Sequence, residues 1–345
     1  MLKLPVSRME ELFSLIANEQ SLYLPLETNG LITFSRWTEG KTARFDQLHC
    51  AGSVKEFFFP QTENLVLFKT SGKEIQIEEN RDPEEAFVVF GVRACDAASL
   101  PILDRVFYDE PADTFYQARR RQGLIITVAC NAPEETCFCH AFGLDAADPG
   151  GDIAVWLLQD MLYWDSRTEK GHALTERLRG LFEEAGDQGE EAVRKAKADI
   201  GKIMDRLPLR DLSLESFADG ALEEKFDAPQ WEALQESCLG CGTCTFVCPT
   251  CHCYDIRDFD TGHGIRRFRC WDSCMFSDFT LMAHGNPRPS RLARFRQRFM
   301  HKLAYYPENH EGLYACVGCG RCIAKCPVSM NIAKVIKTLG VDQHA

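Results

Sequence analysis

One cysteine pattern occurs twice in this chain and limits what can be built around it. Cys238, Cys241, Cys244 and Cys248 precede Pro249, and Cys316, Cys319, Cys322 and Cys326 precede Pro327, each run reading C-x2-C-x2-C-x3-C-P. Three thiolates so spaced grip one iron–sulfur cube, and the fourth, a helical turn further on, reaches the cube of the other run. The assignment that follows places one [4Fe–4S] cluster on Cys238, Cys241, Cys244 and Cys326 and a second on Cys316, Cys319, Cys322 and Cys248. Gly240, Gly242, Gly318 and Gly320 let the backbone curl closely about a cube with its amides turned towards sulfur. Pro249 and Pro327 stop the local helix. Zinc knuckles use two C-x2-C pairs, a different pattern from two matched four-cysteine runs each closed by proline.

A chain of 345 residues is long enough for two domains. Its 17 cysteines, in a sequence whose Met1–Ser7 stretch has no apolar signal core, indicate metal rather than disulfides. No apolar run is long enough to span a bilayer. The expectation is a soluble, cytoplasmic protein without membrane insertion. The net charge of −12 speaks against a nucleic-acid role. Two basic runs stand near the cysteines in sequence, Arg266–Arg269 and Arg288–Arg298. They are read as compensation for the negative charge of thiolate-bound cubes, with a docking face for an acidic partner as a compatible second use.

The N-terminal part opens with helical spacing at Met9, Leu12, Phe13, Leu15 and Ile16 and continues with strand-like pieces at 22–25, 31–37 and 64–69. Phe57-Phe-Phe-Pro60 reads as core packing, and Cys50 as a buried thiol. The apolar run from Ala86 to Phe90 is expected to be a strand covered on both faces. Asp96 is placed to cap the following helix, whose apolar positions are Leu100, Ile102, Leu103, Val106 and Phe107. A second buried run, Leu124 to Ala129, follows the basic Arg119-Arg-Arg121, giving a strand–helix–strand crossover with parallel strands. Cys95 and Cys130 then fall just past the carboxyl ends of two strands about 4.8 Å apart, at the edge where open α/β sheets place ligands. Cys137 and Cys139 follow in the next loop. The hypothesis is a third cluster, [4Fe–4S], on Cys95, Cys130, Cys137 and Cys139; four unconnected thiols, or a zinc site, are the alternatives.

Further along, 153–159 and 161–164 read as a hairpin, and 172–181 and 190–204 as charged surface helices. The segment 208–229 connects to the second domain. Cys251, Cys253, Cys270 and Cys274 are read as small apolar groups packed around a cluster, with another metal site as the alternative. His252, His263, His284 and His301 are taken as structural or surface residues. The span between the motifs has helical patterning, most clearly from Arg291 to Tyr305. The expected fold class is α+β. Residues 1–215 form an α/β domain with a partly parallel sheet carrying the third cluster. Residues 216–345 form a mainly helical dicluster ferredoxin-type domain.

Several stretches together resemble one family. They are Phe57-Phe-Phe-Pro-Gln61, Val92-Arg-Ala-Cys-Asp96 with Leu103-Asp-Arg105, Cys130 with Cys137-Phe-Cys139, Cys248-Pro-Thr-Cys-His-Cys-Tyr254, and the second cysteine motif. The chain is similar to the iron–sulfur electron-transfer subunit shared by sulfhydrogenase, where it is the beta subunit, and anaerobic sulfite reductase. Dicluster proteins of this kind also accompany flavin oxidoreductase and heterodisulfide-reductase complexes. The resemblance covers most of the chain, and the N-terminal combination is its specific part. It supports the third cluster and implies a relay of single electrons. The implied partners are an FAD- and NAD(P)-binding reductase subunit, together with a further redox subunit of hydrogenase, sulfite reductase or heterodisulfide reductase type. No P-loop and no G-x-G-x-x-G at a strand–helix junction is present, so no flavin or NAD is expected on this chain. The competing reading is a reductase with its own substrate site or bound flavin.

Overall fold

The computed structural model describes residues 1–79, 85–217 and 222–340. Its strands, in chain order, are β1 (Leu2–Pro5), β2 (Ser21–Thr28), β3 (Leu31–Arg36), β4 (Thr62–Ser71), β5 (Glu74–Glu79), β6 (Phe87–Val92), β7 (Gly123–Val128), β8 (Ile153–Leu158), β9 (Met161–Ser166), β10 (Glu183–Glu184), β11 (Tyr254–Asp260) and β12 (Gly264–Trp271). Eight form one sheet in the order β10-β1-β9-β8-β7-β6-β2-β3. Its centre, β2-β6-β7-β8, is parallel, and antiparallel strands extend it on both sides. The two apolar runs are neighbours, as expected, with Phe90 opposite Ile126.

Their continuous apolarity is explained by cover on both faces. Val88, Phe90, Leu124, Ile126 and Val128 pack under the helices Met9–Glu19 and Glu169–Arg177. Val89, Val92 and Ile125 face the other way, against Phe58, Leu103, Phe107 and Tyr116. Phe58 and Phe59 are fully buried, so the phenylalanine run is core. The crossover from β6 to β7 holds a helix that the basic Arg119-Arg-Arg121 had concealed. It spans Thr114–Gln122, and the Asp113 carboxylate accepts from the Tyr116 N–H at 2.9 Å as its cap. Arg120 of that helix forks onto Asp104 with two bonds of 2.8 Å.

A second sheet, β11-β12-β4-β5, is antiparallel throughout. Its β4 comes from early in the chain and its β11–β12 hairpin from between the two cysteine motifs. It therefore draws strands from both sides of residue 216. The hairpin was not visible in the helical patterning of that span, but the helix Arg291–Met300 is present, capped by Ser290, which accepts from the Ala293 N–H at 3.1 Å. It continues into a wider, π-helical turn, His301–Tyr305. Phe295, Phe299 and Leu303 of this rod pack with Trp231, Val335 and Ile336 into the core of the motif-bearing half.

Candidate metal centres

Each motif curls as its glycines allow. Gly240 and Gly242 have φ of +69° and +73°, Gly318 and Gly320 of +59° and +77°, values that favour glycine. A short helix follows each loop, Thr243–Phe246 and Arg321–Ala324. This geometry brings the thiols into two sets. Cys238, Cys241, Cys244 and Cys326 line one small cavity, part of it open to solvent. Cys248, Cys316, Cys319 and Cys322 line a second, tighter one. The fourth cysteine of each run has crossed to the other run's set.

Two buried cations serve these cavities. Arg298 is 4% exposed and lines both. Its Nε is buried without a partner, although such groups are nearly always bonded. Lys302, one turn on, donates to Thr250 Oγ1 and to the Ala315 carbonyl, each at 2.8 Å. The Cys248, Cys251 and Cys316 thiolates beside it hold its ammonium well above the usual lysine range, against the opposing effect of burial. Of the basic run Arg288–Arg298, Arg298 alone faces both cavities. Arg296 lies on the Phe226 ring at 3.6 Å, and Arg294 donates to the carbonyls of Met275, Arg288 and Pro289. The other run is on β12, where Arg267 pairs with Asp258 and the buried Arg269 donates to Glu63 at 2.8 Å. Compensation therefore rests on Arg298 and on Lys302, which the sequence reading passed over. Its signal was the four-residue spacing from Arg298, which places the two on one helical face.

Cys95, Cys130, Cys137 and Cys139 are all buried and pack into one group, which also contains Cys319 of the second motif. Burial pushes Cys137 up to about 11 and Cys139 up to about 12. Thiols so placed ionise readily only around a positive centre. The Cys137–Cys139 loop lies directly on the second motif. The Phe138 N–H donates to the Gly318 carbonyl at 2.9 Å. A Cβ on Gly318 would stand 2.4 Å from the Phe138 carbonyl oxygen, and one on Gly320 2.4 Å from that of Thr136. Asp96, next to Cys95, does not cap the following helix, Ser99–Phe107, which starts at Ala98 without a side-chain cap. It forms a buried, bidentate pair with Arg321 of the second motif, at 2.6 and 2.7 Å. Around this junction the Arg321 Nε and the Thr136 hydroxyl are buried and unpartnered. His49, also missed in sequence, touches the Cys319 backbone, and burial with Arg321 and Arg93 nearby holds it well below the usual imidazole range. Cys50 is half-buried, its thiol pushed up to about 12 by burial.

All three sets fit iron–sulfur cubes in donor chemistry. Their unpartnered N–H and O–H groups suit cubes whose sulfides accept hydrogen bonds. Among the described residues, no three His, Cys, Asp or Glu side chains form a preassembled single-ion site. The remaining cysteines separate. Cys251 neighbours Cys248, and Cys253 neighbours Cys274, each pair close enough to perturb one another, whereas Cys270 stands apart on β12 opposite Asp255.

Residues 237–330 match the model of the 4Fe-4S dicluster domain. Over 328 residues, 94% of each chain, the sequence is 33% identical to sulfhydrogenase 2 subunit beta of Pyrococcus furiosus. The chain belongs to the sulfhydrogenase beta-subunit family. No solved structure matches it. As a member of that family with a dicluster domain, it is an iron–sulfur electron-transfer protein, and its mixed sheet with a parallel centre agrees with the α+β class expected. No described helix is long and apolar enough to cross a membrane.

Proposed function

We propose that this beta-subunit relative relays single electrons within a cytoplasmic, multisubunit oxidoreductase of sulfhydrogenase type, passing them between a partner that binds FAD and NAD(P) and another that carries the terminal chemistry. Three [4Fe–4S] clusters serve it: one held by Cys238, Cys241, Cys244 and Cys326, one by Cys316, Cys319, Cys322 and Cys248, and one by Cys95, Cys130, Cys137 and Cys139. When bound, such clusters accept and donate one electron at a time without proton or group transfer. The observation that carries the reading is the continuity of the three thiol sets. Arg298 lines the first two cavities together, and Phe138, between two thiols of the third set, lines the second cavity. The chain's own part is to hold the thiolates, balance their charge with Arg298, Lys302 and Arg321, and keep water out between neighbouring sets.

The test is an iron and acid-labile sulfide count on anaerobically purified protein. About 12 iron per chain is expected, falling to about 8 in Cys95→Ala and in Cys319→Ala. About 8 in the unmodified protein, unchanged by Cys95→Ala, removes the third cluster and leaves a two-centre relay. The competing reading, a reductase with its own flavin, would use a groove of about 660 Å³ beside Cys130, lined by Trp156, Lys197 and Ile200 among others. Flavin absorbance and NAD(P)H turnover in the purified chain would support it; their absence supports the relay.

A further inference from the structure

The thiols of Cys251, Cys253 and Cys274 take no part in the three sets, and two of them meet. β11 starts with Tyr254 opposite Trp271 of β12, and the Asp272 N–H donates to the Cys253 carbonyl at 3.0 Å. This closes the open end of the hairpin and brings Cys253 and Cys274, which flank it, close enough for each thiol to perturb the other. Both are half-buried rather than sealed, so a small reagent can reach them. Two adjacent thiols without a metal ligand's task, fixed by a hairpin register and not by a flexible loop, make a dithiol site.

We propose that Cys253 and Cys274 form a redox-active dithiol–disulfide pair that exchanges with a disulfide substrate, Cys253 attacking and Cys274 resolving. The Cys253 thiolate attacks one sulfur of the substrate S–S bond, forms a mixed disulfide and expels the first substrate thiolate. The Cys274 sulfur then attacks the Cys253 sulfur and expels the second. One S–S bond is broken and one formed, the substrate gains two electrons, and the two protons of the dithiol pass to the leaving thiolates. The environment divides the roles. The neighbouring Cys274, with its backbone N–H and Lys302, lowers Cys253, whereas Cys274 is pushed up by the same neighbour and by burial. The thiol that gives up its proton more readily of the two is the better attacker. Lys302 serves this pair and Cys248 alike, which places the dithiol beside the second thiol set.

The experiment uses the full chain, purified anaerobically, with oxidised glutathione as the probe, followed by N-ethylmaleimide quenching and peptide mapping. The expected product is an intrachain Cys253–Cys274 disulfide, reversed by dithiothreitol, with the iron count unchanged. In Cys274→Ser, glutathione should remain attached to Cys253. In Cys253→Ser, modification of Cys274 should be at least about tenfold slower. The proposal is overturned if both residues stay alkylatable in the oxidised wild-type protein, if Cys251 is the residue modified, or if either variant loses iron or zinc relative to the parent.

Discussion

At the scale of single residues, the centres depend on a few buried charges. Arg298 is shared by two cavities, and a guanidinium there stabilises whichever state carries more negative charge. Arg298→Met should therefore lower the midpoint potentials of both neighbouring centres by on the order of 60 mV, about 1.4 kcal/mol for a one-electron step. Anaerobic redox titration followed by electron paramagnetic resonance checks this, and an unchanged pair of potentials would show that the guanidinium is merely packed. Two imidazoles carry a pH effect. Burial lowers His252 to about 4 and His301 to about 3, and their rings lie 5.6 Å apart. Both are neutral in the folded chain, while the unfolded chain protonates them below about 6.5. The stability they confer is therefore full above about pH 6.5 and declines as pH falls from there towards about 4. Denaturant midpoints between about pH 7.5 and 5.5 should fall with pH in the parent and flatten in the His252→Gln, His301→Gln double variant. The gathering of the two motif sets was legible at this scale because the repeated C-x2-C-x2-C-x3-C-P spacing is written in the sequence. Arg321 and Asp96 were not. Nothing local marks a carboxylate whose partner lies more than two hundred positions away, so a helix cap was the reading that near neighbours suggested.

At the scale of elements, identical motifs have been given unlike surroundings. A Cβ on Gly240 meets nothing within 4 Å, whereas one on Gly318 runs into the backbone of Phe138 and Cys139. Gly240→Ala should cost only the backbone conformation, about 1–2 kcal/mol. Gly318→Ala should cost at least about 2 kcal/mol more, because a backbone neighbour cannot yield like a side-chain tip. Chemical denaturation of the two variants, compared with iron retention, measures the difference; equal costs would mean that the Cys137–Cys139 loop yields easily. The parallel strands were readable from their unbroken apolar runs. The β11–β12 hairpin was not. Ile256, Phe259 and Ile265 are exposed and stand among Asp and Arg, so no buried face imposes an alternation. What holds the hairpin is pairing with β4, from far earlier in the chain, and such support leaves no local trace.

At the scale of the molecule, the second sheet ties the early and late parts of the chain together. β4 lends its edge to β12, and Glu63 is buried against Arg269. A fragment of residues 1–215 would keep β4 and β5 as a bare two-stranded ribbon, marginal in water, with Glu63 deprived of Arg269 and left with Arg119 alone. Hydrogen exchange on that fragment should find the β4–β5 amides unprotected while β6, β7 and β8 stay protected; equal protection would show that the ribbon stands alone. The unequal exposure of the two motifs has a further consequence. Leu239 of the first loop is 64% exposed and Cys241 is open to solvent, whereas Cys319 is 8% exposed beneath the Cys137–Cys139 loop. Dioxygen meets the outermost centre first. In air the protein should age in stages, losing its outer iron early and keeping the inner centres behind a broken terminus, like a cable stripped only at the plug.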